Sequence, residues 1–372
     1  MERRSRVTLG FILIACIAFW IIPCTAIPFE GIASSHPIQL TTDPHYDRNP
    51  SILLADDGTY WLFFTRGKTL PGIRSTDYNP DLDYYDIYYM TAHSLPGLLK
   101  ATEKKVPGLA PDNAQRDVAA LQAGDGTIWV FTSTGLGPGS DRSVYFYQFK
   151  DGTWSGPAPV PHTDYAAHVD AIEKDGRIWV FYDIGYELFV ISYQLGTGFW
   201  TSPVSVAPGA TLGKAIAEDG SLYIAWVYID PDQNLWGPGI YLSSSPDGTT
   251  WTHTTSPVAA WGTGLTNWDP VLIKDRKIFR LFWAPSDTEQ FIATSSSSTP
   301  MDPASWSDPV RVTSASGNGN SWWDFWPKPI PKGRHGDGTL ALLYTSERNA
   351  DGTGMTDGNI WMEIAIPRGI DR

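Results

Sequence analysis

The chain has 372 residues, a formal net charge of −13 and two cysteines. So large an excess of acid disfavours nucleic acid and anionic membrane surfaces as partners, because phosphate recognition needs a positive field. Seventeen Trp and seventeen Tyr fit a large packed structure with aromatic surface to spare for a neutral or locally guided ligand.

In chain order, residues 1–26 begin Met-Glu-Arg-Arg-Ser-Arg, continue as an apolar run over 7–22 and end Pro23-Cys24-Thr25-Ala26. A basic start, an apolar middle and a small final residue predict a secretory signal peptide cleaved after Ala26, and hence a secreted or cell-surface protein. The run is too short for the ~20 apolar residues of a spanning helix. Leu13-Ile14-Ala15-Cys16 resembles a lipobox, which leaves lipid anchoring as the other reading, although residues 17–22 stay apolar where a lipoprotein would turn polar. Both cysteines lie in this leader, so its cleavage leaves a domain without disulfides.

Residues 27–45 read as a lead-in and 46–372 as one domain, because a single pattern repeats through it. An apolar strand, a tight turn and an aromatic-rich second strand recur six times. The turns are Asp57-Gly58, Asp125-Gly126, Asp175-Gly176, Asp219-Gly220, Asp275-Arg276 and Asp337-Gly338, spaced 44 to 68 residues apart. Asp-Gly supplies the positive φ angles of a two-residue hairpin, and the flanking alternation marks strands. A third strand follows, and then a segment opening on Trp154, Trp200, Trp251 or Trp306. Four strands per repeat and six repeats predict an all-β fold, a six-bladed β-propeller, with these tryptophans wedged between adjacent sheets.

In such a blade the innermost strand starts at the funnel face, and the loop between its second and third strands returns there. The starts read Tyr46-Asp47-Arg48-Asn49, Gln115-Arg116-Asp117, Ala167-His168-Val169-Asp170, Leu212-Gly213-Lys214, Asn267-Trp268-Asp269 and Trp322-Trp323-Asp324. Arg66, Asp183 and Glu347-Arg348 follow second strands. Arginines facing one cavity grip a carboxylate or sulfate through paired hydrogen bonds. Arg48, Arg66, Arg116 and Arg348 are the candidates, with Arg142 after them; the competing reading locks each to a neighbouring Asp. Asp47, Asp117, Asp170, Asp269, Asp324 and Glu347 could supply the acid and base of glycoside hydrolysis. Trp268 and Trp323, with Trp236, Trp261 and Trp322, could stack on a sugar, and His168 either polarises a sugar hydroxyl or is a satisfied rim residue. Histidine spacing offers no zinc site. The loop 349–359 carries oxygens suited to calcium, which a glycine-rich turn explains as well. No cofactor is expected.

The stretch Ser245-Pro246-Asp247-Gly248-Thr249-Thr250-Trp251 resembles the Asp-box of the sialidase superfamily, one residue shorter than the usual form. Arg48-Asn49-Pro50-Ser51-Ile52 resembles the sialidase opening, in which an Arg-Ile-Pro triplet places the first of three arginines on a sialic acid carboxylate. The resemblance implies a six-bladed propeller, Arg48 as the first triad arginine and Asp83 or a neighbour as acid/base. The chain departs from the sialidase pattern in that no Tyr-Glu nucleophile pair can be placed, though Tyr344 and Glu347 lie in the last blade and stand as catalytic candidates. Asp47-x-x-Pro50-Ser51-Ile52-Leu53 and Trp268-Asp269-Pro270 also resemble the five-bladed arabinanase and xylosidase families, which would make Asp47 a general base; six repeats weigh against that kinship. The expected function is an exo-acting glycoside hydrolase on a carbohydrate or glycoconjugate, the alternative a noncatalytic lectin or surface adhesion module.

Overall fold

A computed structural model describes residues 38–43, 46–67, 85–108, 115–134, 142–230, 232, 235–262, 265–286, 291–313, 324–330, 340–346 and 358–365. The leader and most of the lead-in lie outside them, as do Asp83, Trp322, Trp323, Glu347, Arg348, the Asp337-Gly338 turn, the side chain of Trp236 and nearly all of the calcium-suited loop.

Six antiparallel sheets follow one another along the chain, one per repeat. Their innermost strands are Asp47–Leu54, Gln115–Gln122, Ala167–Lys174, Ala210–Glu218, Thr266–Asp275 and Asp324–Pro329. These strands pack side by side around one axis, and the sixth closes against the first. The protein is therefore the six-bladed β-propeller that the repeats predict. Ile52, Leu121, Ile172, Ile216 and Leu272 lie on the inner strands, while Ile330 follows the end of the sixth.

The sixth blade is completed from the other end of the chain. Ile38 and Gln39, within the stretch read as a lead-in, pair with Met362 and Trp361 as its outermost strand. The propeller thus draws on residues before 46, and a strand from each end of the described chain ties the ring shut.

The hairpins divide by length. In blades 3 and 4, Lys174 pairs with Arg177 and Glu218 with Ser221, leaving Asp175-Gly176 and Asp219-Gly220 as two-residue turns with φ positive at all four residues. In blades 1 and 2 the turn is longer: Ala55 N–H donates to the Thr59 carbonyl and Gly58 N–H to that of Ala55. There Gly58 and Gly126 alone take the positive φ, while Asp57 and Asp125 accept from the N–H two residues on.

Each neighbouring pair of blades shares its own apolar cluster, and there are six. Phe63, Phe131, Phe181 and Phe282 hold matching places on second strands and are 1% exposed or less; burying a side chain of this kind contributes ~1.5–3 kcal/mol. The fourth-segment tryptophans lie where wedges belong. Trp154 packs edge-on to Phe63 and against Tyr89 of blade 1, Trp200 against Phe146 of blade 2, and Trp251 edge-on to Phe181 of blade 3. The Ser245–Trp251 stretch is a tight turn in which Asp247 Oδ1 accepts from Thr249 and Thr250 N–H at 2.8 and 2.9 Å, while Ser245 Oγ accepts from Gly248 N–H. Among the described residues no helix is long and apolar enough to cross a membrane.

Candidate functional site at the funnel

One backbone irregularity builds the site. Every innermost strand slips register near its start, between Arg48 and Ser51, Gln115 and Asp117, Ala167 and Asp170, Thr211 and Lys214, Trp268 and Val271, and Phe325 and Lys328. A regular strand turns successive side chains to opposite faces; a bulge re-aims one and lets two neighbours face the same way. In five blades the bulge carries a non-glycine residue at positive φ: Asn49, His168, Leu212, Asp269 and Trp326. That conformation is uncommon, most of all for bulky Leu212 and Trp326.

The result is two stacked rings of six. Arg48, Arg116, Ala167, Thr211, Trp268 and Phe325 line a cavity of about 770 Å³, within the range of ligand pockets. The next residue in each blade, Asn49, Asp117, His168, Leu212, Asp269 and Trp326, forms a floor shared with a smaller space beneath. Ser133, Thr134, Arg142, Asp183, Tyr186 and Ile229 complete the wall from the ends of second strands and the loops after them.

The cavity is chemically lopsided. Blades 1 to 3 supply Arg48, Arg116, Arg142, Asp117, His168 and Asp183, whereas blades 4 to 6 supply Leu212, Ile229, Trp268, Phe325 and Trp326 with Asp269. Arg48 stacks on Trp326 and Tyr46, 5.2 and 5.9 Å from the ring centroids, an arrangement that fixes its guanidinium by attraction to the ring faces. Asn49 donates to the Arg116 carbonyl at 2.5 Å and to Asp117 Oδ1 at 3.1 Å.

The three carboxyls differ in their surroundings. Asp117 Oδ2 accepts from Ser133 Oγ at 2.7 Å and from His168 N–H at 3.2 Å. Burial opposes its charge, yet the fields of His168, Lys214 and Arg48 and the Ser133 bond hold its pKa below the usual carboxylate range. Asp269 goes the other way: burial pushes it up to about 6 against the pull of His168, Lys214 and a Trp326 N–H bond. Asp183 Oδ1 lies 2.9 Å from His168 Nδ1, and Thr211 Oγ1 donates to Asp183 Oδ2 at 3.1 Å. Burial works against a charged imidazole, but Asp183 and then Asp117 raise His168 to about 9. With Nδ1 held by Asp183 and the ring part-exposed in the cavity floor, His168 is a cationic donor at neutral pH. One carboxyl raised and another lowered in the same cavity are the pattern of an acid and its ionised partner.

Of the residues singled out in the sequence, Arg48, Arg116, Asp117, His168, Trp268 and Asp269 meet in this cavity, and Arg142 is the third arginine on its wall. Asp47 and Arg66 do not. Asp47 is fully buried, its oxygens accepting from Arg66 Nε and Nη2 at 2.6 and 2.7 Å, and Arg66 also binds Asp43 and Glu103. Burial disfavours the guanidinium charge, but these bonds raise its pKa. For this pair the lock to a neighbouring Asp is the correct reading, because strand alternation turns Asp47 away from the side that Arg48 faces. Asp324 holds the matching place in blade 6, pairing with Ser346 as Asp47 pairs with Arg66, and is likewise buried and off the cavity wall. Tyr344 is 0% exposed, packed with Phe282, Ala284 and Leu342 in the core between blades 5 and 6, so its phenol does not reach the funnel. Trp261 packs edge-on to Phe291 in the core between blades 4 and 5.

Trp326 is a site residue that the sequence reading misses, since it starts blade 6 at Trp322-Trp323-Asp324. Trp326-Pro327 occupies the same bulge place as Asn49-Pro50 and Asp269-Pro270, and that shared Pro is the signal that could have found it. Among the described residues no group of three or more His, Cys, Asp or Glu side chains is arranged to hold a metal ion.

No protein-family model and no curated protein matches the chain. Solved structures do. A protein of unknown function from Dyadobacter fermentans is 15% identical with a TM-score of 0.65, over 89% of this chain and 98% of that one. Trypanosoma rangeli sialidase in complex with the inhibitor DANA is 11% identical with a TM-score of 0.59; the match covers 88% of this chain and 58% of the sialidase. BT0996, solved as an RGII complex, is 14% identical with a TM-score of 0.53, over 91% and 94% of the two chains. At such identities the likeness is one of fold: the chain is a six-bladed β-propeller of the sialidase-like kind.

Proposed function

We propose that this protein is an exported carbohydrate-active propeller that takes an acidic sugar into its funnel and hydrolyses the terminal glycosidic bond. The observation that carries the proposal is Arg48, Arg116 and Arg142 on one wall with Asp117 and Asp269 in the floor, all lining one cavity. The arginines hold the carboxylate of the sugar, and Trp268 supplies a face on which its ring stacks. Asp269, the carboxyl that burial keeps protonated to about pH 6, gives its proton to the leaving oxygen. Asp117, held ionised, stabilises the positive charge that develops on the sugar ring, and water completes the hydrolysis. The leader over 1–26 supports export. In keeping with this ligand class, the Trypanosoma rangeli sialidase has been solved with sialic acid.

One observation favours a noncatalytic lectin instead: Tyr344 is sealed in the core and supplies no nucleophile to the funnel. A panel of chromogenic glycosides of acidic sugars, run beside a glycan array, separates the two. Release of chromophore that Asp269→Asn abolishes, with binding retained, supports the hydrolase; binding without any release supports the lectin.

A further inference from the structure

Among the described residues four large apolar or aromatic side chains are exposed, Leu99, Tyr165, Tyr186 and Phe199, and two of them, Tyr165 and Tyr186, line the funnel cavity. They are 59% and 40% exposed. Both flank blade 3: Tyr165 lies two residues before its innermost strand, and Tyr186 in the turn between its second and third strands. Ile184 pairs with Glu187, so Gly185-Tyr186 is a two-residue hairpin turn, with φ of 57° and 67°. Such a turn favours Asn or Gly at its central places, and a bulky ring at positive φ is an outlier. Tyr165 repeats the anomaly at φ of 68°, with its N–H donating to the carbonyl of Arg142, an arginine of the cavity wall. Two exposed phenols held at unfavourable backbone angles add little to the core, and strain of this kind gathers at ligand sites.

Their place indicates what the two rings meet. The connection between second and third strands is two residues in blade 3 and at least four in every other blade, so blade 3 puts the least chain at the mouth of the funnel. At about 770 Å³ the cavity lies toward the upper end of pockets that enclose drug-sized ligands, more than one sugar ring fills. A pyranose carries C–H groups on its faces, and an aromatic side chain takes such a face out of water while its own hydroxyl stays wet. We propose that Tyr165 and Tyr186 form a second subsite at the mouth of the funnel, where they stack on the pyranose that follows the terminal acidic sugar, so that the ligand is the end of an oligosaccharide and not a free monosaccharide. The proposal rests on the reading of the cavity below as an acidic-sugar site.

The test is titration calorimetry with two pairs of ligands, sialic acid with sialyllactose and glucuronic acid with glucuronosyl-xylose, the longer member of each made with a sulfur linkage that resists hydrolysis. For the acid that the funnel recognises, the longer member is expected to bind about tenfold more tightly than the monosaccharide. Tyr165→Asn and Tyr186→Asn together, a residue type that tolerates positive φ, remove that preference, leave the monosaccharide affinity unchanged and do not lower the melting temperature; Tyr165→Phe and Tyr186→Phe together keep it. Equal affinity for the two members of a pair, a preference that survives the Asn variants, or an equal loss for both members overturns the subsite and leaves the acidic-sugar reading standing. Binding of neither pair by the unaltered protein overturns both. Should the doubly substituted protein fail to fold, each single Asn variant decides by the same comparison.

Discussion

Asp183 Oδ1 lies 2.9 Å from His168 Nδ1, and this pairing keeps the imidazole charged on the lining of the funnel. His168 stands at a bulge with φ of 50°, which turns its ring into the cavity, while Asp183 lies one residue before the end of the second strand of the same blade. The strained backbone and the ion pair therefore serve one arrangement.

Because the folded-state pKa of His168 is raised to about 9 from an ordinary ~6.5, its contribution to stability is complete below about pH 6.5 and is lost as pH rises through about 9. Urea unfolding at pH 6, 7.5 and 9 is expected to show declining stability in the wild type and a flatter profile in His168→Asn. Asp183→Asn should bring the imidazole pKa, read by NMR, back toward its ordinary value.

The pair Asp47–Arg66 is a structural lock. Arg66→Met leaves the Asp47 carboxylate buried without its partner, and breaking a buried pair from one side costs about 3–5 kcal/mol. Denaturant melts should show that loss, while the protein that remains folded binds ligand normally. A specific loss of binding without loss of stability would return Arg66 to the ligand site.

Trp154 wedges blade 2 against blade 1, so Trp154→Ala is expected to cost about 3 kcal/mol, the lower end for removing a packed Trp. Phe199, 70% exposed, is the control, and Phe199→Ala should change stability by no more than about 0.5 kcal/mol. Equal effects at the two positions would contradict the wedge.

Turnover, where it occurs, should follow Asp269. The acid must be protonated, so activity is expected to fall as pH rises through about 6, while Asp117 stays ionised well below that. An acidic sugar still bound at pH 7.5 but hydrolysed more slowly than at pH 5.5 fits these roles; activity rising from pH 5.5 to 7.5 contradicts them.

Blade number and the position of the funnel were legible because they rest on local signals: a turn every 44 to 68 residues and alternation within strands. The partners of the arginines were not. Arg48 and Asp47 are adjacent in sequence, yet alternation sends Arg48 to the funnel and Asp47 to the interior, where its partner is Arg66, nineteen residues away. The floor was equally hidden, because a one-residue bulge decides which of two neighbours lines the axis. Closure by Ile38 and Gln39 pairs residues more than 320 positions apart and leaves no mark in a repeat pattern.

Titration calorimetry of the protein with sialic and uronic acids and with neutral sugars of the same size decides whether the funnel grips an anion. The acidic sugars are expected to bind and the neutral ones to bind far less. Arg116→Ala and Arg142→Ala should each weaken acidic-sugar binding by about 1.5–3 kcal/mol, the range for a hydrogen bond to a charged group, with the fold intact by circular dichroism. Equal affinity for acidic and neutral sugars, or acidic-sugar binding unchanged in both variants, would contradict an anion-gripping funnel.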